Sequence, residues 1–131
     1  MSAALLRRYA TPLPVPFSKA VRAGDFLFLS GVLAMDPQTR IIEGDVQAQT
    51  RVIVERIAAT LDECGSSLSE VVKATVWLAD LADFAAFNAE YAKHFAAGLP
   101  ARSCVQAVLY KGAKVEIEVQ AFAPEADVYR E

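Results

Sequence analysis

Histidine occurs once in the 131 residues and cysteine twice, which leaves little material for metal chemistry. His94 alone cannot supply a multi-histidine site, and Cys64 and Cys104 lie far apart in no ligand-like spacing. The two cysteines read instead as free thiols of a reducing cytoplasm. No apolar run is long enough to span a bilayer. The segment Met1 to Ala10 holds Arg7 and Arg8 with no apolar stretch after them, so it does not read as a secretory signal. Thirteen basic residues face 16 acidic ones, a net charge of −3, and the basic residues form no run beyond Arg7-Arg8. Binding to nucleic acid through its phosphates needs a concentrated positive patch, so the charge pattern argues against it. Internal repeats, low-complexity tracts and linkers are also missing.

What the chain has is apolar residues, 54% of the total. Residues 1–131 read as one domain, large enough to bury a core, with apolar surface left over for a subunit interface. Thr11-Pro12-Leu13-Pro14-Val15-Pro16 is extended loop, because proline fixes φ and lacks a donor. Phe26 to Gly31, after the turn Gly24-Asp25, reads as a strand covered on both faces, with Val32 to Met35 as its continuation. Asp36-Pro37-Gln38-Thr39 is a turn. Asp45 caps a helix that runs to Cys64 with Val46, Thr50, Ile53, Ile57 and Leu61 at helical spacing, and Gly65 ends it. Val71 to Ala79 alternates as a strand, with Val72, Ala74, Val76 and Leu78 on its apolar face. A second helix runs from Leu81 to Ala96 behind Asp80, with Phe84, Phe87, Tyr91 and Phe95 as its core stripe. Two closing strands, Arg102 to Tyr110 and Lys114 to Ala123, read as an antiparallel hairpin around Gly112. The order β, β, α, β, α, β, β predicts an α+β fold, a mixed sheet with two helices on one face.

Side chains of a strand switch faces at each residue, so Arg102, Cys104 and Gln106 share a face, as do Glu116 and Glu118. In a hairpin these strands would set a guanidinium beside carboxylates on a half-buried sheet. That arrangement is costly unless it binds something. A guanidinium suits a planar carboxylate, because its fork donates parallel hydrogen bonds.

Several segments together resemble the YjgF/RidA reactive-intermediate deaminases. They are Pro16-Phe17-Ser18-Lys19-Ala20-Val21, Phe28-Leu29-Ser30-Gly31, Glu43 to Arg51, Asp83-Phe84 with Asn88 and Tyr91, Pro100-Ala101-Arg102-Ser103 and Val115-Glu116-Ile117-Glu118. The resemblance implies a chorismate-mutase-like fold and a homotrimer with its sites in clefts between subunits. It implies hydrolysis of enamines or imines, such as 2-aminoacrylate, to 2-keto acids and ammonia, without metal or organic cofactor. Arg102 would bind the substrate carboxylate and Glu116 would position water. Phe17, Ser30, Gly31, Asn88 and Cys104 would line the pocket. Two departures stand out: Phe17 replaces a frequent tyrosine, and Tyr110 a frequent proline.

Other readings remain beside these. Arg102 as a structural ion pair with Glu116 or Glu118 is one. Cys104 is a nucleophile only with an activating base, and otherwise lines the pocket. His94 reads as a solvated helix-end residue, Trp77 as an interface anchor, and Ser30-Gly31 as a source of backbone donors. The same fold would also serve a non-catalytic trimer that binds small 2-keto acids, or a degradative deaminase acting on a larger enamine. RNA cleavage, said of some relatives, fits the acidic balance poorly.

Overall fold

The computed structural model describes residues 6–124, so the first residues of the Met1 to Ala10 segment lie outside it. One six-stranded sheet is built from β1 (Leu6–Tyr9), β2 (Ala20–Ala23), β3 (Phe26–Leu29), β4 (Val71–Leu78), β5 (Ala101–Gln106) and β6 (Val115–Phe122). Their order across the sheet is β1-β2-β3-β6-β4-β5. Only β4 and β5 run parallel; every other pairing is antiparallel. Two helices, α1 (Val46–Glu63) and α2 (Phe84–His94), cover one face. The fold is the expected mixed α+β sheet with two helices.

Local chemistry accounts for most boundaries. Gly24, at φ 61°, and Asp25 form the two-residue loop that joins β2 to β3 with Ala23 opposite Phe26. The Asp45 side chain accepts a hydrogen bond from the Ala48 amide at 2.8 Å and caps α1. Ile53, Val54, Ile57 and Leu61 form its buried stripe. Asp80 caps a 3-10 turn, Leu81–Asp83, through the Ala82 amide, and α2 follows, shorter than the sequence predicts. Phe87 and Phe95 are fully buried, each contributing roughly 2–3 kcal/mol by leaving water.

The closing hairpin is not formed. β4 lies between β5 and β6, pairing parallel with one and antiparallel with the other. The crossover through α2 returns β5 parallel to β4, as such connections do. Residues 107–114 then carry the chain past the end of β4, where the Ala79 amide donates to the Lys114 carbonyl. β5 accordingly ends at Gln106 rather than Tyr110.

Three smaller expectations also change. A register shift between Val71 and Lys73 puts Val71 in the core and leaves Val72 exposed. Leu27 and Leu29 are buried, but Phe26 and Phe28 lie on the open face of the sheet, 43% and 46% exposed. Val32 to Met35 makes only isolated bridges, Val32 to Ile117 and Met35 to Ile41, instead of extending β3.

Buried polar groups tie distant segments together. Arg22, 3% exposed, donates to the carbonyls of Gly24, Cys64 and Ala123. Gln49 donates to the Ile42 carbonyl and accepts from the Lys114 amide. Glu90, 2% exposed on α2, accepts from Arg51 of α1 at 3.1 Å and pairs with His94 at 2.7 Å. His94 is therefore tied to buried Glu90 and, with its side chain 20% exposed, is not a solvated helix-end residue. Burial works to raise the Glu90 pKa, but its bonds to His94 and Arg51 and the charges of Arg51 and Lys93 prevail and lower it.

Candidate active site

Glu116 lies on β6 opposite Trp77 of β4, and Glu118 lies opposite Thr75. Their neighbours Val115, Ile117 and Val119 are buried in the core. Glu116 and Glu118 consequently point to the face that the helices leave open. The bridge between Val32 and Ile117 draws the chain at Ser30-Gly31 against this stretch of β6. The contact is close: a Cβ added to Gly31 would overlap Oε2 of Glu116. Burial pushes the Glu116 carboxyl above the ordinary carboxylate range, and the charge of Glu118 pushes it further.

Ser30 and Phe17 adjoin Gly31. The Ser30 hydroxyl donates to the Ser18 carbonyl at 2.7 Å, and its amide to the Lys19 carbonyl at 3.1 Å. That hydroxyl is engaged with the backbone and holds the 17–19 segment in place. Phe17, 50% exposed, joins Ser30 and Gly31 in lining a cleft of about 390 Å3, whose walls include Leu13, Val32 and Met35.

Arg102 and Cys104 sit elsewhere. On β5 they pair with Ala74 and Val76, both fully buried on the helix side. Arg102, Cys104 and Gln106 do share a face, but it is the helix-covered one and not the open one. Gln106 there accepts a hydrogen bond from the Leu81 amide. The Arg102 guanidinium lies over three rings of α2, at 5.7 Å from the centroid of Phe84, 5.4 Å from Phe87 and 4.9 Å from Tyr91. No ion pair among the described residues involves it. The ion pair with Glu116 or Glu118 is thus not made. Asn88 belongs to the same arc of α2, one turn beyond Phe84. Its Oδ1 is buried without a hydrogen-bond partner.

Cys104 is half-buried, and desolvation raises its pKa despite the opposing pull of Arg102. A raised pKa works against the thiolate that a nucleophilic role needs. Buried Cys64 closes α1, and its carbonyl receives Arg22. Trp77 stands half-buried on the open face. Among the described residues no group of three or more His, Cys, Asp or Glu is placed to hold a metal ion. None of the described helices is long and apolar enough to cross a membrane.

One chain thus carries two candidate half-sites. Phe17, Ser30 and Gly31 line the cleft of one, with Glu116 packed against Gly31; Arg102 and Cys104 of β5, with Asn88 of α2, make up the other. Arg102 and Glu116 lie on opposite faces of the sheet with β4 between their strands, and Val105, not Arg102, is level with Glu116. Helical spacing alone predicts the aromatic stripe of α2 to be core. Phe84 is in fact 42% exposed, and it forms part of the seat under Arg102. The signal was present in the helical spacing of Phe84, Phe87 and Tyr91, but nothing local said what would lie across from it.

Comparison with known proteins gives a consistent result. The model of a family described as Endoribonuclease L-PSP matches residues 10–123. A RutC family protein of Pyrococcus horikoshii is 44% identical over 114 residues, which cover 85% of this chain and 90% of that one. The Reactive Intermediate Deaminase A, chloroplastic, of Arabidopsis thaliana is 45% identical over 105 residues, 79% of this chain and 56% of that one. The crystal structure of RidA from an Antarctic Psychrobacter superposes with a TM-score of 0.78 at 36% identity, covering 90% of this chain and 98% of its own. With the matched region running through both half-sites, the chain belongs to the YjgF/RidA/RutC family.

Proposed function

We propose that the protein hydrolyses reactive enamines and imines of small 2-amino acids, such as 2-aminoacrylate, to 2-keto acids and ammonia. One observation carries the reading: the Arg102 guanidinium is held on aromatic rings with no carboxylate partner among the described residues. A positive fork left open in this way is a receptor for a planar carboxylate. The name Reactive Intermediate Deaminase A, borne by a relative, supports the same chemistry.

Arg102 binds the carboxylate and so fixes C2 of the imine tautomer. Water adds to C2 while Glu116 accepts one of its protons and hands it to the imine nitrogen. The resulting carbinolamine passes a proton to nitrogen, the C–N bond breaks, and ammonia leaves a 2-keto acid. A carboxyl raised above its usual range exchanges protons more readily near neutrality. Imines already react with water, so the protein supplies orientation above all.

Because Arg102 and Glu116 point away from each other in one chain, the working cleft joins Arg102, Cys104 and Asn88 of one protomer to Phe17, Ser30, Gly31 and Glu116 of another. Three such clefts form in a homotrimer. The open sheet face, with Phe26, Phe28, Phe122 and Val105 exposed, is the surface such an assembly covers. The free thiols accord with a cytoplasmic setting. The −3 charge and the engaged Ser30 hydroxyl favour this chemistry over RNA cleavage.

The test couples the protein to a dehydratase that generates 2-aminoacrylate and follows keto acid release. The protein should accelerate release, and Arg102→Ala should abolish the effect. Full activity in that variant ends the proposal. Phe17 favours a second reading, a trimer that binds 2-keto acids without catalysis, because its ring brings no hydroxyl to the cleft. Calorimetric binding of 2-oxobutyrate with no deamination would select it. A larger enamine from a degradative route would instead be revealed by turnover of bulkier substrates alone.

A further inference from the structure

We infer that Tyr91 is a positioning residue, whose ring face fixes the guanidinium of Arg102 for carboxylate capture. The inference rests on the carboxylate-binding role proposed above for Arg102.

Of the three rings under Arg102, that of Tyr91 is nearest, at 4.9 Å. It cannot drift. It stacks on Phe95 at 4.5 Å and 30° and tilts against Phe87 at 5.4 Å, and both phenylalanines are buried. Tyr91 itself is 4% exposed. The turn of α2 that carries it is also bound to α1, through the adjacent Glu90 and its bond with Arg51.

A ring face compensates a cation differently from a carboxylate. It attracts the flat side of the guanidinium and leaves the N–H edges unoccupied. A carboxylate in the same place would take those edges and compete with the substrate. The seat therefore orients Arg102 and keeps its donors free.

The hydroxyl of Tyr91 separates the ring's part from any polar part. It is buried and has no hydrogen-bond partner. It thus neither anchors the ring nor binds Arg102, and losing it removes an uncompensated polar group. The ring alone carries the role.

The experiment compares Tyr91→Phe and Tyr91→Leu for calorimetric affinity for 2-oxobutyrate and for KM and kcat with 2-aminoacrylate. Tyr91→Phe should keep Kd and KM within about twofold. Tyr91→Leu should raise both about 3- to 30-fold, the range a cation–π contact spans, with kcat nearly unchanged. A purely structural residue would instead lower the active fraction, and so kcat, at constant KM. Wild-type affinity in Tyr91→Leu overturns the inference, as does equal weakening in Tyr91→Phe. If Tyr91→Leu does not fold, Tyr91→Met replaces it, since it also removes the ring from beneath the guanidinium; unchanged KM there overturns the inference equally. Arg102→Ala separates the two levels. Undiminished affinity in Arg102→Ala removes the carboxylate role itself. Lost affinity there, with none lost in Tyr91→Leu, removes only the role of the ring.

Discussion

Gly31 and Glu116 are packed so closely that the carboxylate occupies the space where any other residue at position 31 would carry its β-carbon. The backbone of Gly31 is not in the left-handed region, so alanine fits its φ without strain. Gly31→Ala must therefore push the Glu116 side chain aside without unfolding the chain. Deamination should fall at least about tenfold, since positioned acid–base groups contribute about a hundredfold or more. The melting temperature should move by only a few degrees. Unchanged turnover would mean that Glu116 has room to recover its place.

Glu116→Gln should trade stability against activity. The raised pKa of Glu116 means that the folded protein holds this proton more tightly than the unfolded chain does. Its contribution to stability is fully present below the unfolded value and is lost as pH rises through the folded one. At pH 7 the wild type bears a half-buried charge that glutamine lacks, so the variant should melt higher. The difference should close below about pH 3, where the carboxyl is protonated in both states. Turnover should drop at every pH. A variant that melts lower than the wild type at pH 7 would contradict the assignment.

Glu90 should behave in the opposite sense. Its lowered folded pKa gives stability that is present above the unfolded value and lost as pH falls through the folded one. Glu90→Gln should melt lower than the wild type at pH 7, by about 5 °C for each kcal/mol of lost interaction. The gap should shrink as the buffer becomes acidic. Melting curves taken from pH 3 to 8 decide the point, and a gap that widens in acid would refute it.

Arg22 is the buried cation at the junction of the Gly24 turn, the end of α1 and the end of β6. Arg22→Met leaves two buried carbonyls and one part-buried carbonyl short of a donor, at a cost of about 1–3 kcal/mol for each that finds no water. Chemical denaturation should register a loss of several kcal/mol, while the folded fraction keeps its KM, because neither half-site includes Arg22. A raised KM in the folded fraction would show that this junction reaches the site.

The sequence is legible where structure is local. Asp45 and the spacing of Ile53, Ile57 and Leu61 identify α1 because a helix's partners lie within its own turn. Strand alternation correctly groups Arg102 with Cys104 and Glu116 with Glu118. Alternation does not say which face of the sheet a group takes, or which strand stands beside it. For β5 and β6 both depend on the insertion of β4 between them, and short spacing in the chain suggests a hairpin instead. Arg22 and Gln49 are hidden for a related reason: their partners are backbone carbonyls and amides far off in sequence. The i, i+4 spacing of Glu90 and His94 permits their pairing, but its burial is decided by the packing of α2 on α1, which no local pattern shows.

Because the two half-sites turn their backs on each other, damage to either one is not inherited by every cleft of a mixed assembly. Under the proposed mechanism, chains disabled at Arg102 and chains disabled at Glu116 would each be inert alone. Co-refolded in equal amounts under the proposed symmetry, they would leave about one cleft in four with both wild-type halves. Two dead proteins would then yield a living mixture.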